Sequence, residues 1–170
     1  DVQQLRTHGG SLRVFAQRTD TGKRARTPTV DELLKAEADL GLSSTDFYLG
    51  FQQKTDEVKD KFIRFLIDAK QANKSVAAYG AAAKGNTLIN YAGIRPDLIQ
   101  FVVDRNPAKQ GKFMPGSRIP IVDEDQLRST RPDYIVVLPW NLLDEIAKQL
   151  DYTRQWNAQL VSAIPHLRII

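Results

Sequence analysis

Gly80-Ala81-Ala82-Ala83-Lys84-Gly85-Asn86-Thr87 has the residue types and spacing to hold a phosphate. The octet follows a short apolar run, Ser75 to Tyr79, and leads into Leu88, Ile89 and Tyr91, an order that predicts strand, turn and helix. At such a turn, phosphate oxygens meet backbone N–H groups at a helix N-terminus, where the helix dipole also favours an anion. The spacing reads Gly80-x-Ala82-x-x-Gly85, whereas the dinucleotide fingerprint has glycine at its second position. The Ala82 methyl stands where backbone should approach pyrophosphate. The octet also nearly spells a P-loop, but Asn86 occupies the place of the phosphate lysine and Lys84 lies on the wrong side of Gly85. ATP hydrolysis is therefore not expected. Phosphate or pyrophosphate binding is, with Gly80, Ala82, Ala83, Gly85 and Asn86 offering backbone and Lys84 and Thr87 adding donors. The competing reading is that these small residues only let helix and strand pack closely.

Asp104 closes the next apolar run, Leu98 to Val103, at the distance where the fingerprint places a ribose-binding carboxylate. From Arg105 to Arg118 the chain carries Arg105, Lys109, Lys112 and Arg118 and no acid. In a doubly wound sheet this loop leaves the strand end beside the Gly80 turn and suits a phosphorylated ligand; the alternative is a solvated loop. Leu138-Pro139-Trp140-Asn141 follows the clearest strand, 133–138, at the same sheet end. There Asn141 is a candidate helix cap and Trp140 a candidate stacking surface. The alternative is an ordinary capped helix with a packed Trp. His8-Gly9-Gly10-Ser11 puts a histidine beside a flexible glycine pair, and His166 reads as structural. No pair of carboxylates has a spacing that argues for acid–base work. The absence of cysteine excludes a disulfide framework, a cysteine zinc site and a cysteine nucleophile, and makes a reducing cytoplasm the simplest location.

Elements that must position these residues are legible in the apolar pattern. A strand is expected at 11–16, with no partner nearby. A short helix is expected from a Thr29 N-cap with Glu32 as its capping box, ending near Gly41. Ser43 or Ser44 should then cap a longer helix whose apolar face is Val58, Phe62, Phe65, Leu66 and Ala69, stopping at Asn73. Further strands are expected at 75–79, 98–103, 119–122, 133–138 and 160–164, with helices between, including 123–129 and 141–150. Continuous apolar strands alternating with helices predict an α/β fold, a Rossmann-like doubly wound parallel sheet covered on both faces, preceded by an N-terminal strand and helices.

The chain has 170 residues, 42% hydrophobic and 26% charged, within the range of one ordinary globular domain with an appendage. No apolar run is long enough to span a membrane. The net charge of +4 resides in residues 1–30, where six basic side chains face two acidic ones. The remainder is neutral, so a nucleic-acid surface is not expected.

In order along the chain, His8 to Val14, Gly80 to Asn90, Val103 to Pro107, Lys109 to Gly111, Pro115-Gly116, Ile119 to Ile121 and Leu138 to Asn141 resemble the C-terminal part of the S-adenosylmethionine-dependent sugar C-methyltransferases. The resemblance implies a nucleotide-linked keto-sugar as substrate of the whole enzyme, methylated at carbon through an enolate. It further implies three parts: a small zinc domain, a central methyltransferase domain, and a C-terminal Rossmann-like domain that helps hold the sugar nucleotide. This chain would be the third part. Residues 1–28 would be the tail end of the methyltransferase domain, 29–74 a helical linker and 75–170 the Rossmann-like domain. The chain would bind no cofactor and perform no catalysis alone. The strand at 11–16 would need the missing domain, or a neighbouring copy in a homodimer, for its sheet. The resemblance brings His8, Ser11 and Arg13 into the expected sugar-nucleotide site, with Gly80, Ala82, Ala83, Lys84, Gly85, Asn86, Thr87, Asp104, Arg105, Lys109, Lys112, Pro139, Trp140 and Asn141. The rival expectation is a free-standing NAD(P)- or coenzyme A-binding module.

Overall fold

The computed structural model describes the chain except for Arg6 and the His8 side chain, and divides it into two units, Asp1–Gln53 and Lys54–Ile170. In the first unit, β1 (Val2–Leu5) pairs antiparallel with β2 (Ser11–Val14), in register from Val2 opposite Val14 to Leu5 opposite Ser11. The strand expected at 11–16 is thus shorter and has a local partner. Gly10, at φ +121°, lets the chain reverse just before β2, a conformation glycine adopts at little cost.

The helix expected to start from a Thr29 cap is α1 (Pro28–Asp39), with Thr27 at its N-cap position and no side-chain cap. Pro28 explains the shift. Its ring presets the first helical φ and keeps Thr27 extended, so Thr29 falls inside the helix. Ser44 does cap, accepting from the Asp46 N–H at 3.2 Å, but the helix it starts is the single turn α2 (Thr45–Tyr48). Gly50, at φ +80°, breaks the chain before α3 (Phe51–Gln71). None of the described residues in 1–53 is buried.

In the second unit α3 ends as expected: Asn73 turns left-handed at φ +56°. The chain then runs through β3 (Val76–Tyr79), α4 (Ala83–Tyr91), β4 (Val102–Val103), β5 (Ile121–Val122), α5 (Glu124–Thr130), β6 (Tyr134–Val137), α6 (Leu143–Gln149), β7 (Gln159–Ser162) and β8 (Arg168–Ile169). The sheet order is β5-β4-β3-β6-β7-β8. Pairing is parallel throughout except for β8, which returns antiparallel on β7 and has no counterpart in the sequence reading. β4 is shorter than the run 98–103, yet its backbone joins β3 early, because Gln100 N–H donates to Val76 O at 3.0 Å.

Alternation along the strands divides the core. Val76, Ala78, Val102, Val136 and Val161 face Phe62 and Leu66 of α3 and Leu88 and Ile89 of α4. Ala77, Tyr79, Val103, Ile135, Val137 and Leu160 face Leu127 of α5 and Leu143 and Ile146 of α6. Both sheet faces are therefore covered, the arrangement that lets parallel strands be apolar on both sides. At the opposite end from the Gly80 turn, Asp133 accepts from Ser75 N–H at 2.8 Å, Ser75 Oγ at 2.9 Å and Lys74 Nζ at 2.8 Å, tying the starts of β3 and β6 together. These bonds, that from Lys74 first, hold the Asp133 carboxyl below the usual carboxylate range.

Candidate functional site

Since β3, β4 and β6 run parallel, the segments after Tyr79, Val103 and Val137 all emerge at the sheet's carboxyl end. β3 lies inside the sheet, between β4 and β6. Gly80 leaves β3 at φ +87°, and a Cβ there would stand 2.5 Å from Pro139 Cγ. A Cβ on Gly85 would stand 2.5 Å from Leu138 Cβ. The two glycines are thus required by close packing of the β3–α4 turn and α4 against the segment after β6. Ala82 is the N-cap residue of α4 and lines a cleft.

That cleft has a volume of about 410 Å³ and lies wholly within the second unit. Ala81, Ala82, Ala83 and Asn86 form one wall. Ala108, Lys109, Lys112, Phe113, Met114 and Pro115 form the other, with Ile121 between. Asn86 Oδ1, in the first wall, is buried and accepts no hydrogen bond. Thr87, one residue on, uses its hydroxyl to donate to Ala83 O at 3.2 Å.

Asp104 is buried where β4 ends, and both of its carboxylate oxygens are engaged. Oδ2 accepts from Ala81 N–H at 2.8 Å and from Lys109 Nζ at 3.0 Å; Oδ1 accepts from Asn106 N–H at 2.9 Å. Lys109 also donates to Ala81 O at 2.9 Å, and Gln110 Nε2 to Asp104 O at 2.9 Å. The carboxylate and its lysine clasp the β3–α4 turn to the loop after β4. A ribose diol needs two acceptor sites on the carboxylate, and these three bonds leave one, on Oδ1. The residues here therefore do not fit the ribose of S-adenosylmethionine or of a dinucleotide held on this carboxylate.

The candidate cations separate. Lys112 lines the cleft and is exposed. Lys84, in the first turn of α4, reaches the β6 side instead: Nζ donates to Asn141 Oδ1 at 2.9 Å and lies 5.2 Å from the centroid of the Trp140 ring. Arg105 donates to Gln149 Oε1 at 3.4 Å, the acceptor that Tyr79 OH also reaches at 3.5 Å. Burial, with Glu124 nearby, pushes the Tyr79 phenol up, so it stays protonated. Asn141, expected as a helix cap, instead sits inside a 3₁₀ turn, Trp140–Leu142, which follows Pro139. α6 starts after Leu142 with no side-chain cap. Pro139 has no N–H and cannot extend the ladder, so the chain turns before the helix can begin.

Ser11 and Arg13 lie in the first unit. Ser11 Oγ donates to Thr7 O at 3.0 Å, and Arg13 Nη1 reaches Gln3 Oε1 at 3.5 Å. The His8 side chain lies outside the described residues. His166 is exposed on the turn before β8. Sequence reasoning assigns Phe113 no role. It is exposed, yet its neighbour Met114 is buried and it lines the cleft itself; alternation across an apolar pair in a loop otherwise read only for charge was the available signal.

A family model described as the C-methyltransferase C-terminal domain matches residues 6–165 of the chain. C-methyltransferase NovU of Streptomyces niveus is 34% identical over 170 residues, which take in 100% of this chain and 40% of that protein. The chain therefore spans about two fifths of the length of the curated relative it matches.

Proposed function

This chain belongs to the C-methyltransferase C-terminal domain family, and on that premise we propose that it is the sugar-nucleotide-binding part of a larger methyltransferase. The observation that carries the reading is the cleft at the carboxyl ends of β3 and β4, at the N-terminus of α4 and beside Lys112. In open α/β sheets, ligands bind at that end, and a helix N-terminus there favours phosphate. The substrate is a nucleotide-linked keto-sugar. Lys112 and the first-turn N–H groups of α4 take the diphosphate, and Trp140, Asn141 and Lys84 form a second flank. S-adenosylmethionine, which supplies the methyl group, is held by the rest of the enzyme, as is the base that removes the proton beside the ketone. This chain binds and orients, and does not catalyse alone. Ser11 and Arg13, on the N-terminal hairpin, are substrate-binding residues of the whole enzyme. The enzyme works in the cytoplasm, a setting that a chain without cysteine suits.

Thermal melting tests the reading. With part of the cleft absent, the dissociation constant should be near millimolar, about −4 kcal/mol. At ten times that concentration a nucleoside diphosphate sugar should add about 1.4 kcal/mol, a melting shift of roughly 3–6 °C. S-adenosylmethionine should give none. Lys112→Ala should remove most of the shift and Lys84→Ala part of it. A shift with NAD(P) or coenzyme A and none with any sugar nucleotide would overturn the reading in favour of a free-standing dinucleotide or coenzyme A module.

A further inference from the structure

The excursion between β4 and β5 folds back on itself as a short hairpin. Gly111 N–H donates to Ile121 O at 2.9 Å, Ile121 N–H to Lys112 O at 2.8 Å, and Met114 N–H to Ile119 O at 2.8 Å. Phe113 and Pro120 form the bridge between these bonds. Backbone pairing fixes which way successive side chains point. Met114 turns into the core, 2% exposed, so Phe113 must turn away from it, 63% exposed. The core gains nothing from that ring. Phe113 nevertheless lines the cleft together with Ala81, Ala82 and Ala83.

The chemistry of the two walls selects what can enter between them. One wall is three alanines and Asn86, and the other carries Phe113 with Met114 and Pro115. Lys109 is committed to Asp104 and Ala81, which leaves two polar side chains of the lining, Asn86 and Lys112, for the many hydroxyls of a sugar. A flat group with two apolar faces meets no such deficit. A single exposed lysine, Lys112, also lines the cleft and can hold an anion attached to that group. At about 410 Å³ the cleft is of small-molecule size.

We propose that Phe113 is the stacking surface for the base of the nucleotide, and that it sets affinity for the nucleoside half of the ligand whatever the base. The proposal rests on the sugar-nucleotide reading above and adds the residue that recognises the nucleoside. Every base has a π-face, so a stacking residue acts on all of them alike.

The test is titration of the 170-residue chain with UDP, dTDP, ADP, GDP and inorganic pyrophosphate, followed by amide chemical shifts. Phe113→Ala should weaken all four nucleoside diphosphates about tenfold or more and pyrophosphate less than about twofold. Phe113→Trp should stay within about threefold of the unsubstituted chain. Since the ring is exposed, both variants should melt within about 2 °C of it. If Phe113→Ala binds nucleoside diphosphates as the unsubstituted chain does, the stacking proposal falls and the sugar-nucleotide reading stands. If it weakens pyrophosphate equally, Phe113 supports the loop and not the base, and the proposal falls. If the unsubstituted chain binds none of the five, both fall. A dimer in sedimentation that Phe113→Ala dissociates, with nucleotide affinity unchanged, would assign the ring to a second copy instead.

Discussion

All fully buried hydrophobic side chains among the described residues lie between Phe62 and Ala163, in two clusters on the two faces of one sheet. Residues 1–53 have secondary structure but leave Leu12, Val14, Phe15, Phe47, Tyr48, Leu49 and Phe51 exposed. In the first case apolar burial, the dominant favourable term in folding, holds the elements together. In the second, backbone hydrogen bonds of a two-stranded hairpin and short helices do the holding, and such elements are marginal alone. The contrast teaches where a site can be preorganised. The cleft is built on the rigid unit, between a buried strand and a clasped loop. Ser11 and Arg13 stand on a scaffold that needs other surfaces to steady it, which on our proposal the remainder of the methyltransferase provides.

The sharpest way to break this contrast is a pair of truncations read by urea unfolding. Phe62 is 0% exposed, and Phe62→Ala should cost about 3–5 kcal/mol. Leu12 is 51% exposed, and Leu12→Ala should cost less than about 0.5 kcal/mol. Equal costs would mean that the hairpin packs into a core of its own.

A smaller effect tests why the phosphate-like turn keeps its last glycine. A Cβ on Gly85 would press on Leu138 Cβ, so Gly85→Ala should lose about 1–3 kcal/mol in the same measurement. Gly10→Ala, where a Cβ would meet nothing within 4 Å, should leave the main unfolding transition within about 0.5 kcal/mol.

Asp133 sharpens the comparison through pH. Its carboxyl is held low in the folded chain, so it contributes stability above the unfolded value of about 3.9, lost as pH falls through the lower folded value. Asp133→Asn should cost about 1 kcal/mol at neutral pH and flatten the loss of stability below about pH 4. An unchanged acid limb would show that the bonds to Ser75 and Lys74 contribute nothing. The mildest test is hydrogen exchange: Leu12 and Val14 amides should exchange far faster than Ala78 and Val136, and equal protection would contradict the division.

Much of the second unit was legible because β3 and β6 are apolar on both faces, as strands of a doubly covered sheet must be. Other features were decided by contacts that spacing does not encode. Val2–Leu5 has apolar residues only at its ends, so its pairing with β2 had no periodic signal. Gly50 divided what read as one helix, and Pro28 moved the start of another. At the site, the Gly80 turn, the loop after Asp104 and the segment from Pro139 do converge on one end of the sheet, as parallel topology requires. What spacing could not reveal was the allocation of charge. Lys109 is taken up by Asp104, Lys84 turns to Asn141 and Trp140, and Lys112 is left at the cleft.

That this cleft holds the sugar nucleotide is our proposal, and an amide chemical-shift titration with a nucleoside diphosphate sugar decides it. Saturable shifts should concentrate in Ala81 to Asn86 and Ala108 to Met114, with β7, β8 and the Lys74–Asp133 end of the sheet unmoved. Saturable shifts centred away from those two segments, or none at ten times millimolar ligand, would contradict it.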